Sequence, residues 1–178
     1  MLKNARPVLA LDPGLRGLGL AVLSAQGRLL QAEVLTAPPK LPLRKRLAQL
    51  ARQVDERLVL YRPHLVVLEA TWPSRNGSFA RVHRLATLLK RRIRARAIRL
   101  VIVPAGTVRR RLTGSGWTGK RDAAQVVAAR FPELRIYLRQ DRAWKERYFL
   151  NLFDAVALAL HHLALDASKP KPPSRSLS

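Results

Sequence analysis

VLALDPGLRGLGLAVLSAQGRLLQAEVL, running from Val8 to Leu35, decides the fold. Val8 to Asp12 is a short apolar run stopped by Pro13-Gly14, the signature of a buried strand and its exit. Leu18 to Ser24 reads as a second strand, and Ala25-Gln26-Gly27 is a turn into a third, Arg28 to Leu35. Three strands joined this tightly predict an antiparallel meander. The acid at the end of the first strand interrupts the most apolar part of the stretch. A carboxylate there needs a reason, because burying an unpaired charge is costly.

Outward from this meander, Pro38, Pro39 and Pro42 deliver an amphipathic helix from Leu43 to Leu60. Leu47, Leu50, Ala51, Val54 and Leu58 recur at helical spacing there. Leu65 to Leu68 is a wholly apolar strand ending in Glu69, as suits a central strand covered on both faces. A basic helix follows from Ser78 to Ala95, then a strand from Leu100 to Val103 and a short helix from Thr107 to Leu112. The Gly-rich stretch Thr113 to Gly119 leads into a helix from Lys120 to Arg130. The last helix, Leu150 to Leu165, has the most apolar face in the chain. The order βββαβα with further helices is an α/β sheet of mixed strand direction. One domain over residues 1–166 and a disordered Pro, Ser and Lys tail over 167–178 are expected.

The net charge of +23 and a pI near 11.9 make polyanions the natural partners, nucleic acid first through counterion release. Structured RNA or an anionic lipid surface satisfies the same charge, so motifs must choose. There is no cysteine, which excludes disulfides and Cys-based zinc sites and is compatible with a reducing cytoplasm. The first apolar run is cut by Asp12, so no signal peptide is expected, and no uninterrupted apolar stretch approaches a membrane span.

Only eleven residues are acidic, and three of them end or enter core elements: Asp12, Glu69 and Asp154, the last near the start of its helix among Leu152, Phe153, Ala155 and Val156. Individually each could be a helix cap or an arginine partner. Together they suit hard divalent cations such as magnesium, two of which activate water and stabilise a leaving phosphodiester oxygen.

These motifs resemble RuvC-type Holliday-junction resolvases of the RNase H-like superfamily. Asp12-Pro13-Gly14 with Gly17 and Gly19 is similar to their first-strand motif, and Leu65 to Glu69 to their fourth strand with its catalytic Glu. Asn151 to Ala159 resembles their final helix, and Gly114-Ser115-Gly116 with Lys120 a glycine pair and lysine near their active site. The resemblance covers Val8 to about His162. It implies an RNase H-like five-stranded mixed sheet with helices on both faces. It also implies catalytic Asp12, Glu69, Asp154, Asn151 and Lys120, with two magnesium ions (or manganese) held by Asp12, Glu69, Asn151 and Asp154. A homodimer cutting four-way junction DNA by paired nicks, with branch-migration helicases as partners, goes with it.

Asn151 departs from the family, which carries Asp or His there. At i, i+3 it shares a face with Asp154, and its amide oxygen can ligate, but one charge fewer weakens metal binding. Asp141 and Glu146 lie nearby in sequence.

The loop after Glu69 falls where the family places a junction wedge. Trp72 either stacks on an unpaired base or packs beneath the loop, and Arg75 and Asn76 stand where phosphate or base contacts are expected. Phe79 is expected in the core. Arg81 and Arg84 open a basic run to Arg99, and Arg109, Arg110, Arg111, Lys120 and Arg121 continue it around the glycines. His64, His83, His161 and His162 lack metal-binding spacing. Two rival readings stay open: a relative that grips branched DNA or structured RNA without cutting, and a nuclease of the same superfamily acting on RNA or RNA–DNA hybrids.

Overall fold

The computed structural model describes residues 6–14, 16–114, 119–138 and 143–167, with backbone alone for 143–147 and 166–167. The meander forms as expected: β1 (Val8–Pro13), β2 (Leu18–Leu23) and β3 (Leu29–Leu35) pair antiparallel in sequence order. After α1 (Leu43–Tyr61), β4 (Leu65–Glu69) returns parallel to β1. After α2 (Gly77–Ala95), β5 (Arg99–Val103) lies parallel to β4. The sheet order is β3-β2-β1-β4-β5. α3 (Ala105–Thr113), α4 (Lys120–Arg130), a 3-10 helix (Pro132–Tyr137) and α5 (Ala143–Ala167) complete the fold.

Alternation along the strands sorts the core into two layers. Leu9, Leu11, Leu20, Val22, Val66 and Leu68 face α1 and α2, whose Leu50, Val54, Leu58, Leu85 and Leu89 cover them. Val8, Ala10, Ala21, Leu23, Leu65 and Val67 face the other way, under Leu152, Phe153, Val156 and Leu158 of α5, with α3 and α4 beside it. Helices therefore flank both faces. The stretch Tyr148–Leu165 is long and apolar enough to cross a membrane, but here that apolarity is buried against the sheet.

Three expectations need correction. α5 starts at Ala143, about two turns before the expected Leu150, so Asp154 sits near its middle. The turns at its start, Ala143 to Phe149, mix aromatic residues with Lys145, Glu146 and Arg147 and lack the clean apolar stripe on which the expected start rested. The 3-10 helix was not expected, since Pro132 breaks the helical pattern and six residues are too few to show a period. Phe79, expected in the core, is 64% exposed on the first turn of α2. The expected disordered tail lies outside the described residues from 168 onward.

Candidate active site

Strand register brings two of the acids together. β1 and β4 run parallel with Leu11 beside Leu68, so the next residues, Asp12 and Glu69, end the strands as neighbours. Alternation turns both toward the α5 face, the side of Ala10 and Val67. α5 crosses that face and contributes Asp154. Carboxylate oxygens of Asp12, Glu69 and Asp154 all lie within 4.8 Å of one another.

The close approach of α5 depends on Gly19. A Cβ there would lie 1.9 Å from the backbone oxygen of Asn151, a collision between two main chains that cannot relax locally. Gly14 is crowded in the same way by the Asn151 side chain, whose Nδ2 would lie 1.9 Å from an added Cβ. That amide donates a hydrogen bond to the Gly17 carbonyl at 3.0 Å, pinning the β1–β2 loop to α5. With Nδ2 so engaged, Oδ1 is the Asn151 atom left to face a cation.

The electrostatics fit a cation. Asp12 is 3% exposed, and among the described residues its buried Oδ2 has no hydrogen-bond partner. Burial, then the charges of Glu69 and Asp154, hold its carboxyl well above the ordinary carboxylate range. Burial and Asp154 push Glu69 up too, against the opposing fields of Lys120 and Arg109. Lys120 opens α4, where Asp122 accepts from the Gly119 amide at 2.9 Å and fixes the first turn. Its ammonium contacts Asp154. Burial alone would pull Lys120 down, but Asp154, Asp12 and Glu69 outweigh it and keep its pKa raised. A desolvated acid cluster with an orphaned oxygen is what a divalent ion would satisfy.

Beyond the acids opens a cleft of about 690 Å³ whose lining includes Asp12, Glu69, Lys120, Asn151, Trp72 and Phe79. Trp72 is 73% exposed, so it does not pack beneath the loop. Thr71 Oγ1 lies 3.1 Å from Nδ1 of His83, which ties the loop to α2. Asn76 caps α2, its Oδ1 accepting from the Ser78 amide at 3.0 Å, and Arg75 beside it is exposed. Phe79 is a second exposed aromatic on the cleft that the sequence reading assigned to the core.

The basic residues divide. Arg81 and Arg84 are exposed on α2, whereas Arg92 and Arg96 further along pair with Asp55 of α1. Of three successive arginines on α3, helical rotation sends each a different way. The charge of Arg109 bears on Glu69, its Nε is buried with no hydrogen-bond partner among the described residues, and Arg110 is exposed. Arg111 is carried off to a cavity at the opposite end of the sheet, beside His161. Arg109 is thus the residue that the charge count alone undervalued. Arg121 is exposed on α4. His161 is buried, and its pKa is lowered by burial first and then by Arg111 and His162. Ser115, Gly116 and Asp141 lie outside the described residues, as does the side chain of Glu146.

An RNase H-like sheet with two carboxylates at its strand ends and a third from the helix that crosses it defines a class, the nucleases that cut phosphodiesters with divalent cations. Within it the chain belongs to the RuvC family: the family described as "Crossover junction endodeoxyribonuclease RuvC" matches residues 8–162. The curated RuvC of Myxococcus xanthus (strain DK1622) is 33% identical over 161 residues, covering 88% of this chain and 79% of that protein. Among solved structures, Thermus thermophilus RuvC superposes with a TM-score of 0.70 at 25% identity, over 93% of this chain and 99% of that one. The T. thermophilus RuvC complex with a Holliday junction substrate gives 0.70 at 23% identity, over 92% and 96%. The yeast mitochondrial Holliday junction resolvase Ydc2 gives 0.68 at 15%, over 92% and 80%. The last two likenesses show the fold.

Proposed function

We propose that this chain resolves four-way DNA junctions by paired symmetric nicks, working as a homodimeric cytoplasmic endonuclease within one domain, residues 1–166. The observation that carries this reading is the joining of two features in one cleft: the acid triad with its orphaned Asp12 oxygen, and the exposed Trp72 at its rim. Magnesium, with manganese as an alternative and two ions per site, would be held by Asp12, Glu69 and Asp154 with Asn151 as a neutral fourth. When bound it supplies Lewis acidity for attack by water and for the departing oxygen, leaving 5′-phosphate and 3′-hydroxyl ends.

The chain's own residues do the rest. Asp12, Glu69 and Asp154 are preorganised by register and helix docking, so no rearrangement is needed when charge develops. Lys120 moves its positive charge from Asp154 toward the reacting phosphate once the acids are neutralised. Trp72 offers a face on which a base splayed from the crossover can stack, worth about 1–3 kcal/mol. Arg75, Asn76, Arg81, Arg84, Arg110 and Arg121 line the approach as phosphate contacts; Arg111, at the opposite end of the sheet, would need a strand that wraps the molecule. Two symmetric cuts call for a two-fold dimer, and branch-migration helicases are the fitting partners.

Cleavage of a four-way junction, a linear duplex and an RNA–DNA hybrid, each with and without magnesium, tests the reading. Metal-dependent paired nicks confined to the junction are expected. Tight junction binding without nicks would instead make this a non-cutting relative, and preferential cutting of the hybrid would make RNA its substrate.

A further inference from the structure

Beside the catalytic cleft lies a smaller pocket of about 240 Å³, walled by Gly14 and Arg16 of the β1–β2 loop, by Leu43, Arg46, Leu47 and Leu50 of α1, and by Arg81, Val82 and Leu85 of α2. It adjoins the cleft, sharing Gly14, Arg16 and Val82 with it, yet none of the three clustered acids lines it. Three arginines from three separate elements line its wall, and among the described residues no acidic side chain does. The rest of the lining is apolar or glycine, and Arg16 and Arg81 are exposed at its edge.

α1 also begins at the pocket, with Leu43 in its lining, and does so without acidic help. α1 has no side-chain cap and no acid in its first turn. The N-terminus of α1 adds its partial positive charge to that of the arginines. The planar, forked guanidinium matches the oxygens of a phosphate better than a lysine would.

We infer that Arg16, Arg46 and Arg81 form a subsite for a backbone phosphate of the strand being cut, next to the scissile one and on the α1 side of the acids. This rests on the nuclease reading given above and adds the path of the strand. Past the acids, the strand passes Gly14 and turns over the start of α1, rather than following α2 alone. Arg16 and Arg46 stand outside the basic run that the sequence draws attention to. Arg16 reaches the cleft, and Arg46 the pocket beside it, only because the loop and α1 fold together there.

Two measurements test the subsite. In an Asp12→Asn background, where binding is read without cutting, Arg16→Gln and Arg46→Gln should each weaken junction binding roughly tenfold. Each should also lower the slope of log K against log salt by about 0.9, one phosphate's worth of counterions. Arg46 is partly buried, so a matching melting temperature is checked, and the exposed Arg16→Gln and Arg81→Gln decide if Arg46→Gln fails to fold. Wild-type affinity and slope in both of those exposed variants would overturn the subsite.

Inorganic phosphate provides a probe free of any nucleic acid. The guanidinium Nε–H resonances of Arg16, Arg46 and Arg81 should shift together as phosphate is added, ahead of the other arginines. Shifts spread evenly over all arginines would overturn the subsite. If these three respond to phosphate but wild-type protein does not cut junctions, the subsite stands and the junction reading falls.

Discussion

Replacing Asp12 with Asn should make the metal-free protein more stable while abolishing its metal-dependent cutting. The side chain is nearly isosteric, so the change is one of charge. Asp12 lies within 4.8 Å of Glu69 and Asp154 at the closest ligand atoms. At an effective dielectric constant of about 20, Coulomb's law gives roughly 3.5 kcal/mol of repulsion for each fully ionised pair at that distance. Attraction to Lys120 offsets about one such pair, and the raised pKa lets the Asp12 carboxyl evade part of the remainder by keeping its proton. A net gain of about 1–3 kcal/mol is left, which corresponds to a rise of roughly 3–10 °C in Tm for a domain of this size. Urea unfolding in EDTA reads it directly. The dependence on pH carries the same signature. Because the folded carboxyls of Asp12 and Glu69 titrate above their ordinary range, the folded state holds protons that the unfolded chain has released. Stability of the wild type without metal is therefore greatest on the acid side. It falls as pH climbs from the ordinary carboxylate range through the raised folded values, then levels. Asp12→Asn should flatten this slope, and magnesium should restore the wild type. An Asp12→Asn protein that is less stable in EDTA would mean that the carboxylate is a paired structural charge, and the metal site would lose its foundation.

Three further outcomes follow from particular contacts. Asn151→Asp should lower metal-free stability by about 1–3 kcal/mol, since it removes the donor to the Gly17 carbonyl and sets oxygen against oxygen. It should also tighten magnesium binding in calorimetry; an unchanged affinity would make Asn151 only an anchor of the loop. Trp72→Ala should leave linear duplex binding near wild type while removing most junction cleavage and the brightening of 2-aminopurine at the crossover. If the probe brightens and cutting persists, Trp72 is no wedge, and Phe79→Ala becomes the next variant to measure. Gly19→Ala should cost about 3 kcal/mol or more, because its Cβ meets the α5 backbone; a Tm within 2–3 °C (~1 kcal/mol) of wild type would show that α5 can retreat.

How much of this was legible in the sequence depends on the range of the signal. Alternation and turn residues are local, so β1 to β5 and the ends of α1, α2 and α4 fall within a residue or two of where they were read. The acids were found because a carboxylate at the end of an apolar run violates the pattern around it. What could not be read was direction around a helix lacking an apolar stripe. Arg109, Arg110 and Arg111 are indistinguishable in sequence, and only the docking of α3 separates the one whose charge bears on Glu69 from the one beside His161. Phe79 misled for a related reason. An aromatic at a helix start usually marks the core, but α2 begins at the cleft's edge and its buried stripe begins only at Leu85.

Asp12 and Glu69 lie on strands completed by residue 69, whereas Asp154 rides on the last helix, which also buries the apolar face behind both strands. A chain emerging from the ribosome therefore carries an incomplete acid cluster until α5 has been made. The step that completes the cluster is the same one that closes the core. Hydrolytic competence and full stability thus arrive together, and a partly folded chain with this much positive charge can settle on DNA without yet being equipped to cut it.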